Sequence, residues 1–212
     1  MKKSVEERRS EILDVTCDVV VERGFGSTRI ADVADRLGVS TGLIHYHFDS
    51  KDQLLAEAFQ HAAARDLSRL EAELADAPSA LVKLSRTIDL YAPEDAEPGW
   101  MLWIDAWGEA LRNPTLKHIS QELDVAWKDR LEAVIREGVA NGEFRCADPH
   151  ASAWRLAALL DGLGVQVTVH EGVLSRSELR AWVLAAATAE LDLSPGAFNG
   201  ERRRRPRSRS VA

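Results

Sequence analysis

Apolar residues recur every three or four positions along most of this chain, and no stretch alternates β-branched with polar residues as a half-buried strand would. That is the helical period, so the apolar faces have to be buried by packing helix on helix, and an all-α fold follows. Turn and cap residues divide the pattern into about nine helices. The first covers roughly residues 5–23, with Ile12, Val15, Thr16, Val19 and Val20 along one side and Gly24 placed for a left-handed cap. Thr28 is placed to cap a short helix ending at Leu37 before Gly38, and Ser40 to cap a third through about His47. Ser50 and Gln53 spell a capping box that opens a long fourth helix towards Asp76. A fifth follows Pro78 to about Tyr91, after which Pro93, Pro98 and Gly99 break the pattern. A sixth covers about residues 100–112, and after Asn113-Pro114 a longer helix reaches Gly138 or Asn141. Asp148-Pro149 reads as an N-cap and first-turn proline for a helix over 150–170. Ser175 with Glu178 opens a last helix that ends near Leu193.

With 212 residues, 45% of them apolar, the chain can bury a real core, as one domain plus a small second one or as one large helical unit. It is acidic, with 27 Lys and Arg against 34 Asp and Glu, so any surface for nucleic acid has to be local. Cys17 and Cys146 are far apart and match no metal-ligand or disulfide spacing, which reads as a reducing cytoplasm. No apolar run approaches the roughly eighteen residues of a membrane span, and Met1-Lys2-Lys3-Ser4 leads into charged residues rather than a signal-peptide core. The expectation is a cytoplasmic chain with no membrane association. From Ser194 onward an apolar face is lacking, and Arg202-Arg203-Arg204-Arg205-Pro206-Arg207-Ser208-Arg209 makes the end strongly basic. Residues 194–212 are expected to be a disordered tail, either touching phosphates of flanking DNA or simply solvated.

The chemistry sits in Thr28 to Phe48. Two short helices separated by Leu37-Gly38-Val39-Ser40 have the layout of a helix-turn-helix. Ala34 has to be small for the helices to cross closely, Gly38 has to turn at positive φ, and Val33, Leu37, Val39, Ile44 and Phe48 fill the space between them. Thr41, Gly42, Leu43, His45 and Tyr46 then lie on the outer side of the second helix, where a major groove would receive them. Leu43 fits either a thymine methyl or the domain core. His45 and His47, two apart, project about 200° from one another and cannot chelate one ion, so no metal is expected. Cys17 reads as a small buried apolar residue.

Gly24-Phe25, Thr28, the Ala34 to Ile44 core and the string His45-Tyr46-His47-Phe48-Asp49-Ser50-Lys51-Asp52-Gln53-Leu54-Leu55 resemble the TetR family of bacterial one-component repressors, over about residues 8–56. The resemblance implies a three-helix DNA-binding domain over 1–50, joined through the fourth helix to a larger ligand-binding and dimerisation domain over 51–193. It also implies that Thr41, Gly42 and His45 touch bases, and that Thr28, Ser40, Tyr46, His47 and Lys51 touch phosphates. Thr28 and Lys51 stand at expected helix N-termini, where free amides and the dipole favour an anion. His45 stands where the family usually has tyrosine, Leu43 replaces a common threonine, and Ala31 replaces a polar or basic residue, so sequence specificity does not carry over.

Residues 57–193 contain no nucleophile elbow, phosphate loop, HExxH or recognisable pair of catalytic carboxylates, and an enzyme is not expected. Trp100, Trp103 and Trp107 share one helical face. They form either a core stripe or the aromatic wall of a ligand pocket. The run Leu102 to Pro114, with Gly138 and Gly142-Glu143-Phe144, resembles the C-terminal domain of the BetI-type branch, named for a choline-responsive repressor; its members are diverse, and the ligand does not carry over. The helices over 150–170 and 175–193 carry more apolar surface than one bundle face needs, so they either pair with their copies in a homodimer or serve as core helices of a monomer. Together these features imply a ligand-responsive regulator without a cofactor that binds a palindromic double-stranded operator as a homodimer and is released by a small-molecule effector. The alternative is a helical ligand-binding or interaction protein without DNA binding, a reading that rests on the eight basic and eleven acidic residues among the first sixty.

Overall fold

The computed structural model describes residues 3–93, 98–170 and 172–199; the arginine run lies outside them. Among the described residues there are nine α-helices and no strand: α1 (Val5–Arg23), α2 (Ile30–Leu37), α3 (Thr41–His47), α4 (Lys51–Ala75), α5 (Ala80–Tyr91), α6 (Pro98–Ala110), α7 (Pro114–Ala140), α8 (Pro149–Val169) and α9 (Arg176–Glu190). None is long and apolar enough to cross a membrane. Packing groups the chain into two compact units: the chain up to Arg69 with Pro93–Trp127, and Leu70–Ala92 with the chain from Lys128 on. The grouping therefore differs from a division at residue 50, since α6 and half of α7 pack in the same unit as α1 to α3.

Several caps differ from expectation. Thr28 does not cap α2: its hydroxyl donates to the Gly24 carbonyl (2.8 Å), and Arg29 takes the N-cap position, with its amide donating to Asp32 (2.9 Å). Gly24 has a positive φ of 83° with ψ at 155°, a glycine-only conformation outside the left-handed helical region, whereas Gly38 adopts the left-handed one. The pattern does break after Tyr91, but α6 starts at Pro98, two residues before the expected start at Trp100, because the amide a proline lacks has no partner in a first helical turn anyway. The chain after Ser194 is also not featureless. Residues 197–199 form a short 3₁₀ turn, and Phe198 is buried among Leu84, Leu179, Leu191 and their neighbours. One aromatic ring anchors a segment whose composition otherwise reads as a tail.

The second unit buries Leu84 and Ile88 of α5, Leu131 and Ile135 of α7, Leu156 and Leu160 of α8, and Leu179 and Val183 of α9 around one core. Leu184 also faces this core. A corner after α7 closes it. Phe144 folds back over Gly138, Gly142 turns at a φ of 74°, and the Glu143 carboxylate accepts the amides of Ala80 (3.0 Å) and Leu81 (3.1 Å) at the start of α5. Together with the Ser79 hydroxyl on Val82 (3.2 Å), this satisfies three amides of the first turn of α5. A side chain at position 138 has no room, since its Cβ would lie 2.1 Å from the Phe144 ring. Gly138→Ala is therefore expected to cost about 1–3 kcal/mol through overpacking, seen as a lower urea midpoint. An unchanged midpoint would show that this corner yields freely.

Candidate DNA-reading surface and sensor helix

Helices of eight and seven residues are too short to hold their own shape, so packing fixes α2 and α3. Ile12, Leu13 and Val19 of α1, Val33 and Ala34 of α2, Ile44 of α3, Phe48, and Leu54 and Ala58 of α4 form one buried cluster, with Leu37 and Val39 packed against its edge. The Ser40 hydroxyl accepts the Leu43 amide (3.3 Å), which fixes the start of α3. With Ile44 and Phe48 turned inward, Thr41, Gly42, His45 and Tyr46 are exposed, Tyr46 to 74%; Leu43 and His47 are half-buried. This is one continuous polar face on a rigid support. Thr28 does not belong to it, being 1% exposed with its hydroxyl turned inward. The ammonium of Lys51, in the first turn of α4, donates to the Gly26 carbonyl (3.1 Å) and keeps two further protons for another acceptor.

The corner between α3 and α4 is closed by a ring of polar contacts that the sequence did not announce. Arg9 donates to the His47 carbonyl (2.5 Å) and pairs with Glu57, while its guanidinium lies 4.3 Å from the centre of the Phe48 ring. Gln53 donates to Glu57 (3.0 Å) and accepts the Asp49 amide (2.7 Å), so the second half of the expected capping box reaches Asp49 rather than Ser50. The Ser50 hydroxyl accepts the Gln53 amide as expected (3.1 Å). Cys17 is held nearby. Its thiol donates to the Ala58 carbonyl (3.2 Å), and burial pushes its pKa up to about 12, so at neutral pH it is a protonated packing residue, not a reactive thiolate.

On α6 the Trp107 indole meets both of the others. The ring centres of Trp100 and Trp107 are 6.3 Å apart, and those of Trp103 and Trp107 5.8 Å. Trp103 also meets Phe59 of α4 edge-on at 4.7 Å, and Phe59 meets Phe25 at 6.1 Å, giving a run of rings from α6 to the α1–α2 turn. Trp100 is nearly buried, while Trp103 and Trp107 are half-buried. Asp105 points elsewhere and accepts the backbone amide of Phe25 (2.6 Å). Asn113, beyond α6, donates to Asp52 of α4 (3.2 Å). In the second unit, Tyr91 donates to Asp161 (2.6 Å), and the buried Lys128 lies 4.0 Å from the same carboxylate and 4.8 Å from the centre of the Trp154 ring. Lys128 carries no motif, and a lone lysine in a helical pattern reads as a solvated one. No group of three or more potential metal ligands occurs among the described residues.

A seven-residue helix presenting an exposed face across a left-handed glycine turn, its core adjoining at Cys17 a second one that holds the tryptophan-bearing α6, defines a helix-turn-helix DNA-binding regulator. Comparisons with known proteins agree. Residues 12–58 match the tetR family of bacterial regulatory proteins, and residues 80–192 match the C-terminal domain of BetI-type transcriptional repressors. The transcriptional regulator BetI of Burkholderia mallei is 30% identical over 162 residues, 74% of this chain and 80% of that protein. A transcriptional regulator from Saccharomonospora viridis, solved in complex with choline, superposes with a TM-score of 0.79 at 31% identity, covering 88% of this chain and 98% of that one. A TetR-family regulator from a Rhodococcus species gives 0.77 at 28% identity, covering 88% and 100%. The chain belongs to the TetR family and carries a BetI-type C-terminal domain. Regulators of this family bind DNA operators, act as dimers and respond to small-molecule effectors.

Proposed function

We propose that this regulator is a cytoplasmic repressor that binds a palindromic operator as a homodimer and releases it when a small molecule binds. The observation that carries the reading is the outer face of α3, exposed while Ile44 and Phe48 are locked in the core. Thr41, Gly42 and His45 contact base edges; Ser40, Tyr46, His47 and Lys51 contact phosphates. Leu43, half-buried at the edge of this face, reaches a thymine methyl only with its outer carbons. The phosphate contact expected of Thr28 falls to its neighbours, because the Thr28 hydroxyl is committed to Gly24. In a gel shift with the DNA upstream of the protein's own gene, His45→Ala is expected to reduce discrimination between operator and scrambled DNA by about 1–3 kcal/mol. Lys51→Ala is expected to weaken binding to every sequence and to lower the salt slope by about one. Wild-type behaviour of both folded variants would move the reading surface elsewhere.

Dimerisation falls to α8 and α9. The support is the exposure of Trp154 and Trp182, at 42% and 52%, with Val169 and Val173 near the end of α8. Indoles left half in water on two packed helices are an apolar surface awaiting a partner, and a second copy fits a family of dimers. Leu184 serves the intrachain core instead, so an arginine there tests folding, not assembly. Trp182→Arg is expected to sediment as a monomer and to bind a palindrome poorly, whereas a wild-type chain that sediments as a monomer at micromolar concentration would refute the dimer.

The effector is placed against Trp100, Trp103 and Trp107. Asp105 is engaged by the Phe25 amide, so it does not offer its carboxylate to a ligand there, and an apolar, aromatic or partly polar molecule suits the three rings. An organic cation is the second reading, favoured by the choline held by the Saccharomonospora viridis relative. A panel of apolar and cationic metabolites, read by tryptophan emission and thermal shift, separates the two. The effector is expected to change the emission of wild type but to leave Trp103→Phe with a smaller response. A ligand that stabilises the protein and changes both emissions equally would place the pocket away from these rings.

A further inference from the structure

We propose that Arg9 is a positioning residue for operator reading: it sets the angle at which α3 leaves the core, although it touches no DNA. The last carbonyls of a helix lack partners within it and carry partial negative charge. In α3 one of these, the His47 carbonyl, receives the Arg9 guanidinium. The same guanidinium pairs with Glu57, Glu57 accepts from Gln53, and Gln53 accepts the Asp49 amide, so a closed ring of contacts spans the Phe48-Asp49-Ser50 corner between α3 and α4. The Phe48 ring packs beneath the guanidinium. Each member fixes the next. A planar fork holds the carbonyl and the carboxylate in a fixed relative geometry while lying over the ring, whereas a lysine ammonium is a compact point charge on a flexible stem and does not fix that geometry. Apolar packing determines that α3 is buried on one side; the ring determines its rotation and tilt at the end nearest Tyr46 and His47. Base contacts demand that orientation, whereas phosphate attraction tolerates small errors in it.

This inference rests on the reading that α3 faces the operator, and its test keeps the two apart. Affinities for operator and for scrambled DNA are measured across a salt series for the full chain and for Arg9→Lys, Arg9→Ala, Glu57→Gln and His45→Ala. The ratio of the two affinities is insensitive to the fraction of molecules folded, so a merely destabilised protein leaves it unchanged. Arg9→Lys, which keeps the charge, is expected to lose about tenfold or more of the ratio with scrambled-DNA affinity and salt slope unchanged, and Glu57→Gln to lose part of it. Wild-type ratios in Arg9→Lys and Glu57→Gln beside a reduced ratio in His45→Ala would overturn the proposal and leave α3 as the reader. A uniform loss in Arg9→Ala, with the slope lower by about one, would make Arg9 a phosphate ligand instead. Unchanged ratios in every variant would remove both readings.

Discussion

Helix α3 has seven residues, about half of what an isolated helix needs to persist in water, and much of the first unit compensates for that shortness. Its buried side consists of Ile44 with Phe48 just beyond its end, and these find their partners on α1, α2 and α4. Ala34 lets α2 approach, Gly38 makes the turn, and Ser40 and Arg9 satisfy the two ends. A surface assembled this way has little freedom of its own. Changing what it presents to DNA means moving the elements that hold it, which ties DNA recognition to the state of the rest of the unit.

Those elements include α6. Its indoles meet Phe59, Phe59 meets Phe25, and Asp105 holds the Phe25 amide, so a molecule wedged among the tryptophans presses on groups that also define the α1–α2 turn. Packing of this density moves between discrete arrangements rather than bending smoothly. A ligand shifts the balance only as far as it prefers one arrangement over the other. The packing thus groups α6 with α1 to α3 in one unit.

Much of this was legible in the sequence. Helical periodicity with Gly, Pro and Ser punctuation located all nine helices, and Gly38, Ser40 and Ala34 serve as the motif requires. Legibility failed where a side chain chose between equivalent partners. The Thr28 hydroxyl could serve the amides ahead or the carbonyl behind, and the preceding turn brought the Gly24 carbonyl closer. Pro98 reads as a breaker, yet a proline also suits the first helical position, which is where it stands in α6. Arg9 and Glu57 are 48 positions apart, and nothing local marks either as more than a solvated charge. Phe198 stands just ahead of a run of arginines, so composition there is set by charge, while one buried ring decides the packing.

The bond between Asp105 and Phe25 uses a side chain on α6 but only main chain at the turn. Its inheritance is therefore one-sided. Every residue except proline supplies the donor at position 25, so that position is free to drift for packing alone while the link persists, and the genetic record of the contact is written at position 105. Two regulators built on this plan can share the link between α6 and the α1–α2 turn without sharing a matched pair of residues, and a search for paired substitutions would pass over it.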